Sequence, residues 1–320
     1  MDWIDKKIDA LARDRSHGAS QLAGSAIEIL INLCQRSKEK DPSGLASAVR
    51  QAALSLARVR PSMAPIRNWS LVFSHQFQDK IRDRSSFSEA QQQGVILGKE
   101  LLARQQSFVE LQIKAARGIL KKRKSVVTLS YSSTVESILR YSLPSSCKVI
   151  IAESRPLMEG RRLFKNLEQI FPDLRMITDA QMGLAIPNTD LVLVGADTIL
   201  ADLAVVNKTG TYLSALVSHV HGRDFFVAAD TYKINVALDS DNCVLESKSG
   251  SELWPQREKH CDNVYFDITP ARFISGFITE EGILDVAGMK PHVQKWKELH
   301  KELDGGQGRP PYGKNGQVDQ

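Results

Sequence analysis

An α/β fold is predicted from this chain: a helical N-terminal region followed by a mostly parallel sheet covered by helices. Three observations carry it. Apolar residues recur at helical spacing from the start to about residue 120. After Lys124 the period changes, and short apolar runs appear at Val126–Leu129, Val149–Ala152, Leu191–Val194 and Phe225–Ala228. Between them lie amphipathic segments such as Val135–Leu143 and Met158–Ile170. Alternating β and α elements of this size pack as a parallel sheet with helices on its faces.

The elements follow in order. Trp3, Ile4, Ile8 and Leu11 form one apolar stripe, and Ile27, Leu30, Ile31 and Cys34 form the next. Asp41-Pro42-Ser43 is a helix start signal, with Leu45, Val49, Ala52 and Leu56 following on one face. Arg60-Pro61 ends that segment, because proline restricts the residue before it. Ser88 precedes a long helix running to about Leu120, with Leu101, Leu102, Val109 and Ile113 inward. These boundaries place a helical domain at 1–122 and a Rossmann-like sheet domain at 123–303. The stretch Asp304-Gly305-Gly306-Gln307-Gly308-Arg309-Pro310-Pro311 is polar and rich in glycine and proline, so 304–320 reads as a disordered tail.

Composition excludes several classes. At 320 residues, 42% hydrophobic and 25% charged, the chain is an ordinary globular protein with room for two packed domains. No apolar run is long enough to span a bilayer, and Met1–Arg15 is charged and amphipathic rather than a signal peptide, so a cytoplasmic location is expected. Cys34, Cys147, Cys243 and Cys261 are scattered without a C-x-x-C pair, which points to neither a disulfide framework nor a zinc site. The net charge of +5 is modest. Its densest cluster, Lys121-Lys122-Arg123-Lys124, suits a solvated junction at a helix C-terminus and has no interleaved aromatics to suggest nucleic acid.

The chemistry concentrates where strands end. Val194-Gly195-Ala196-Asp197-Thr198-Ile199 reads as a buried strand running into a turn that carries a carboxylate. Asn207-Lys208-Thr209-Gly210-Thr211 reads as a small-residue turn opening the amphipathic segment Tyr212–His219, whose free amides suit an anion. Each also has a bland reading: Asp197 as a helix cap, Asn207 as a turn former. Ser130-Tyr131-Ser132-Ser133 follows another strand, and its hydroxyls and amides suit a phosphate or an ordinary N-cap. Arg155 follows a third strand with a fixed charge for phosphate or carboxylate, or for a salt bridge within its turn. Lys208 would add a mobile charge or face solvent. In parallel sheets ligands bind beyond the carboxyl ends of the strands, so Ser130–Ser133, Glu153–Pro156 and Gly195–Asp197 should meet at one edge. His219 and His221 lie near a helix end with no carboxylate or cysteine at ligand spacing, and read as a C-cap rather than a metal site. No cofactor is expected.

Five ordered motifs carry a family resemblance over roughly residues 15 to 285. They are Arg60-Pro61-Ser62, Glu153-Ser154-Arg155-Pro156 with Gly160-Arg161, Gly195-Ala196-Asp197, Asn207-Lys208 with Gly210-Thr211, and Phe266-Asp267-Ile268-Thr269-Pro270 with Ile278-Thr279-Glu280. Together they resemble the superfamily that unites the α, β and δ subunits of translation initiation factor 2B with two sugar-phosphate isomerases. Those isomerases act on methylthioribose-1-phosphate and ribose-1,5-bisphosphate. The resemblance implies a site holding a phosphorylated sugar or nucleotide, contacted by Gly18, Arg60, Ser132, Ser133, Arg155, Asn207 and Lys208. It also implies a homodimer or higher homo-oligomer.

Two departures bear on catalysis. The isomerases' turn resembles T-H-C-N with a catalytic cysteine, whereas this chain reads Thr128-Leu129-Ser130-Tyr131, which places Ser130 at the cysteine position. A serine hydroxyl is far less acidic than a thiol, and no adjacent base is visible to activate it. Near the N-terminus His17-Gly18-Ala19 stands where the isomerases carry R-G-A, so a permanent phosphate fork is replaced by a mostly neutral ring. Asp197, often altered in the initiation-factor subunits, is kept. The expected function is a regulatory, initiation factor 2B-like binding protein without standard isomerase chemistry. The alternative is an aldose–ketose isomerase in which Asp197 does acid–base work. A dehydrogenase is set aside, because no G-x-G-x-x-G follows any strand.

Overall fold

The computed structural model describes residues 3–14, 17–60, 63–82, 86–245 and 247–303. The segment 304–320, together with Pro61 and Ser62, lies outside the described residues. The chain forms two compact units. One holds residues 1–107, 232–234 and 296–320, and the other 108–231 and 235–295, so the chain passes from one to the other inside α-helices and at both ends of 232–234.

The first unit is built from α1 (Trp3–Arg13), α2 (Ala19–Arg36), α3 (Pro42–Val59), α4 (Ala64–Ile81) and the N-terminal part of α5 (Phe87–Leu120). Asp41 caps α3 by accepting from the Gly44 amide at 2.8 Å, with Pro42 at the first helical position. The long helix α5 starts two residues earlier than its sequence suggests: Ser86, not Ser88, precedes it and accepts from the Glu89 amide at 3.2 Å. α4 is buried along Ile66, Asn68, Trp69, Ser70 and Phe73, so it is the central helix of this unit. The short segment Tyr232–Ile234 docks here. Tyr232 stacks on Trp69 with centroids 4.0 Å apart, and the buried Asn68 amide donates to the carbonyls of Tyr232 and Ile234, both at 2.7 Å.

The second unit is a seven-stranded sheet and a smaller four-stranded one. Its strands and helices are β1 (Ser125–Leu129), α6 (Ser133–Ser142), β2 (Lys148–Ala152), α7 (Gly160–Leu167), β3 (Leu174–Ile177), α8 (Met182–Ala185), β4 (Leu191–Gly195), β5 (Thr198–Leu200), β6 (Val205–Lys208), α9 (Thr211–Val220), β7 (Asp224–Ala228), β8 (Ile234–Asn235), β9 (Phe266–Thr269), β10 (Gly276–Thr279), β11 (Gly282–Leu284) and α10 (Val286–Leu303), with β8 and α10 divided between the two units. The large sheet runs β11-β10-β7-β4-β1-β2-β3, parallel throughout except for the edge hairpin β10–β11. The four apolar runs seen in the sequence are β1, β2, β4 and β7, buried along nearly their whole length, as a sheet covered on both faces requires.

The second sheet, β8-β5-β6-β9, was not visible in the sequence. Its pairings β5–β6 and β6–β9 are antiparallel, and they place Asn207 opposite Asp267. Asn207 and Lys208 are therefore the end of a strand rather than part of a turn, and only Thr209-Gly210 turns the chain into α9.

Candidate functional site at the carboxyl edge of the sheet

The order in which the chain adds strands to the large sheet reverses at β1. From there the chain steps through β2 and β3 on one side, and through β4, β7 and β10 on the other. Such a switch point leaves a crevice at the strand ends, here between the exits of β1 and β4. The exit of β1 is the Ser130 turn, and the exit of β4 is Gly195-Ala196-Asp197. The two meet closely: a Cβ at Gly195 would lie 2.9 Å from Ser132 Oγ and 3.0 Å from Ser132 Cβ. Only a bare glycine backbone fits there.

Ser130 holds a left-handed backbone, φ 61°, and its amide donates to Ser154 Oγ at 2.7 Å. This bond ties the exit of β1 to the exit of β2. Ser154 is itself left-handed, φ 63°, and buried. Asp179 fixes this second turn from below, accepting from the amides of Ser154 and Arg155, both at 2.8 Å. Ser132 is the N-cap of α6, its Oγ accepting from Val135 at 3.4 Å, and Ser133 is the exposed first residue of that helix. The amides of Ser133 and Thr134 then belong to the first turn, which has no partner within the helix. The capping reading and the phosphate reading of this turn are therefore compatible.

Arg155 lies exposed at the edge. The ion pair that braces its turn is made instead by Arg161 with Glu153, at 3.0 Å. Asp197 is half-buried at the exit of β4, and its amide donates to the carbonyl of Val206 at 3.0 Å, which fastens it to β6.

Three expectations change. Asn207 is buried and donates through Nδ2 to Thr211 Oγ1 at 2.9 Å. Lys208 is neither mobile nor solvent-facing: it is 4% exposed, pairs with Glu159 Oε1 at 2.9 Å, and sits 4.7 Å over the ring of Tyr265. The amides that open α9 are not free. Gly210, left-handed at φ 106°, and Tyr212 both donate to Asp267 Oδ2, at 2.7 and 3.0 Å. Burial pushes the Asp267 carboxyl up to about 6, against the pull of those backbone bonds.

Glu280 and Thr231 lie at the exits of β10 and β7 on the same edge. Glu280 accepts from the Thr231 amide at 3.0 Å and from its hydroxyl, and burial, with the charge of Asp230, pushes its carboxyl up to about 7. Gly195 pairs with Ala228, and Ala228 with Ile278, so Asp197, Asp230 and Glu280 each follow two residues beyond the last pair of their strand.

Gly18 and Arg60 belong to the helical unit. Gly18 precedes α2, its amide donating to Gln21 Oε1 at 3.3 Å. Arg60 ends α3 and donates to the carbonyls of Ala12 and Asp14, at 3.2 and 2.7 Å. His17 beside it pairs with Asp14 at 2.7 Å. His221 ends α9, its amide donating to Val217, and His219 stands edge-on to Phe273. Among the described residues no group of three or more histidine, cysteine or acidic side chains is placed to hold a metal ion.

A model of the initiation factor 2 subunit family matches residues 15–286, a span that contains every edge turn described above. The chain belongs to that family. A putative translation initiation factor eIF-2B subunit 2-like protein of Pyrococcus horikoshii is 33% identical over 277 residues, covering 86% of this chain and 93% of that protein. A ribose 1,5-bisphosphate isomerase of Methanocaldococcus jannaschii is 24% identical over 311 residues, covering 92% and 96%. The crystal structure of the Pyrococcus horikoshii translation initiation factor eIF-2B superposes with a TM-score of 0.73 at 31% identity, covering 89% of this chain and 97% of that one. The family thus brings together proteins with initiation-factor names and proteins with isomerase names, on the helical-plus-parallel-sheet architecture seen here.

Proposed function

We propose that this protein binds a phosphorylated sugar or a nucleotide at the carboxyl edge of the large sheet, as an initiation factor 2B-like regulatory protein without standard isomerase chemistry. The observation that carries the reading is the environment of Ser130. Among the described residues no imidazole, carboxylate or amine is hydrogen-bonded to its hydroxyl, while its amide is committed to Ser154. A serine without a base is not an activated nucleophile. The phosphate lies against the first turn of α6, at Ser132 and Ser133, with Arg155 as the flexible cation. Asp197 accepts ligand hydroxyls. Asn207 and Lys208 form the wall of the site beside it.

The assembly is a homodimer or a larger homo-oligomer. Its support is the outer face of α9, where Tyr212, Leu213, Leu216 and Val220 are 37%, 48%, 37% and 69% exposed. Phe273 continues that face, 5.9 Å from Tyr212 ring to ring. An apolar stripe of this kind on a soluble chain marks an association surface. No helix among the described residues is long and apolar enough to cross a membrane, and a cytoplasmic location fits the reading.

A second reading is favoured by one observation: Asp197 is retained at the exit of β4, where an isomerase would need an acid–base carboxylate. A thermal-shift screen of sugar phosphates and nucleotides, followed by 31P NMR of every hit, separates the two. Stabilisation without conversion supports the binding protein. Conversion that vanishes in Asp197→Asn establishes the isomerase, and no stabilisation by any compound overturns both.

A further inference from the structure

Three arginines stand on α6 and α7, and two of them are committed to carboxylates. Arg140 pairs with Glu136 at 2.9 Å, and Arg161 with Glu153 at 3.0 Å. Arg162 is held differently. Its guanidinium carbon lies 3.9 Å from the centre of the Tyr131 ring, and among the described residues no carboxylate pairs with it. Tyr131 belongs to the turn that follows β1, between Ser130 and the N-cap Ser132, and the ligand reading has so far given it no role. It stands where the T-H-C-N turn has an asparagine, so an aromatic ring at this place is a departure of this chain.

The ring rests on the apolar core that α6 and α7 cover and stays partly open, while Arg162 over it is exposed. A clamp between the two helices would explain the pair, but that clamp exists without it. Asn166 of α7 donates to Glu136 at 2.9 Å, and its carbonyl accepts from Arg140 at 2.7 Å. An arginine held over an aromatic ring keeps its charge, its planar outer face and its donors, which a carboxylate pair would consume. Flat surfaces of this kind, aromatic or guanidinium, are what nucleobases stack on. The position fits as well. Ser132 is extended, φ −133° and ψ 122°, so Tyr131 and Ser133 are about 7 Å apart along the chain. A nucleoside reaches comparably far from its 5′-phosphate to its base.

We propose that Arg162, held over Tyr131, is the platform on which a nucleobase stacks, so that the ligand of the sheet edge is a nucleotide rather than a bare sugar phosphate. This rests on the reading that the edge binds a phosphorylated sugar or a nucleotide, and it names which of the two. Arg162 touches the base, and Tyr131 is a positioning residue beneath it. Stacking reads the flat face of a base and not its edge, so both purines and pyrimidines are accepted.

The test titrates the full chain with ribose 5-phosphate, AMP and UMP, and reads the ratio of the AMP and ribose 5-phosphate affinities. A stacked base should make wild type prefer AMP by about tenfold or more, with UMP between the two. Arg162→Lys keeps the charge and loses the flat face, so the preference should fall below about threefold while ribose 5-phosphate binds as before. Tyr131→Phe should keep the preference, and Tyr131→Leu should lose most of it. A merely structural or electrostatic role would move both ligands together and leave the ratio unchanged. Should Tyr131→Leu fail to fold, NMR of wild type decides: AMP should shift the Arg162 Nε–H signal upfield through the ring current of the base, and ribose 5-phosphate should not. Equal affinities in wild type, a ratio unchanged in Arg162→Lys, or an Arg162 signal indifferent to AMP would each overturn the proposal and leave the ligand reading standing. Binding of none of the three compounds would overturn the ligand reading and the proposal together.

Discussion

Replacing Gly160 by alanine tests how tightly the ligand edge is assembled. A Cβ there would lie 2.1 Å from the Ala152 carbonyl oxygen, 3.1 Å from the Ala152 carbonyl carbon and 3.1 Å from Glu153 Cα. All three are backbone atoms at the exit of β2, so no side-chain rotation relieves the contact. Restoring a normal separation requires the start of α7 to move roughly 1 Å from the strand, and forced overpacking of this kind costs about 1–3 kcal/mol. The upper part of that range applies, because the same movement strains the Gly160 amide bond to the Glu153 carbonyl, now 3.1 Å. Gly118, exposed in α5 with nothing within 4 Å of an added Cβ, is the control. There alanine should stabilise by about 0.5–1 kcal/mol through helix propensity and the unfolded chain. Urea denaturation of both variants measures the difference directly. Because the turn bearing Arg155 is displaced with α7, Gly160→Ala should also weaken sugar-phosphate binding, while Gly118→Ala leaves it intact. A Gly160→Ala protein as stable as wild type would refute the close approach of α7 to β2.

Further expectations follow from the same geometry. Glu280 has an ordinary value of 4.5 and is pushed up to about 7 in the folded chain, so the native state binds the extra proton between those values. Its favourable contribution is present below 4.5 and is lost as the pH rises through 7, so Glu280→Gln should gain on wild type by about 2–3 kcal/mol between pH 4.5 and 8 in urea titrations; a pH-independent difference would contradict this. His300 runs the other way. Burial, helped by the charge of Arg67, lowers it to about 3, so the stability it contributes is present above 6.5 and is lost as the pH falls toward 3. NMR titration should find its ring, 3.1 Å from Asn68 Oδ1, still neutral at pH 5. Finally, Leu213→Glu with Leu216→Glu should shift sedimentation toward monomer without lowering the melting temperature of the isolated chain, because both side chains are exposed; an unchanged oligomer would remove α9 from the interface.

How far the sequence could be read depended on the range of each interaction. The strands β1, β2, β4 and β7 announce themselves because strands covered on both faces must be apolar without interruption. Their exits could then be placed on one edge, and Ser130, Ser132, Arg155 and Asp197 do lie at strand exits on that edge. β6 could not be found this way. Val205-Val206-Asn207-Lys208 ends in two polar residues whose burial is supported by partners far along the chain, Glu159 for Lys208 and a strand opposite at Asp267. The same distance hid Asp267. Its motif, Phe266-Asp267-Ile268-Thr269-Pro270, was evident as a pattern, but nothing local says that its carboxylate reaches the amides of Gly210 and Tyr212. Ser154 and Asp179, which clamp the Arg155 turn, were hidden for a related reason: short polar residues in loops look alike until the fold chooses their partners.

The central claim is that the sheet edge holds a phosphorylated ligand without transforming it, with Asp197 serving contact rather than turnover. Its most direct test is a 31P NMR titration of wild type and Asp197→Asn with the sugar phosphate that stabilises wild type most. Losing a charged hydrogen-bond partner should weaken binding by roughly tenfold to a hundredfold in Asp197→Asn. The account predicts that wild type perturbs the ligand resonance and produces no new phosphorus signal over hours. A ketose-phosphate signal that grows with wild type and is absent with Asp197→Asn would contradict it.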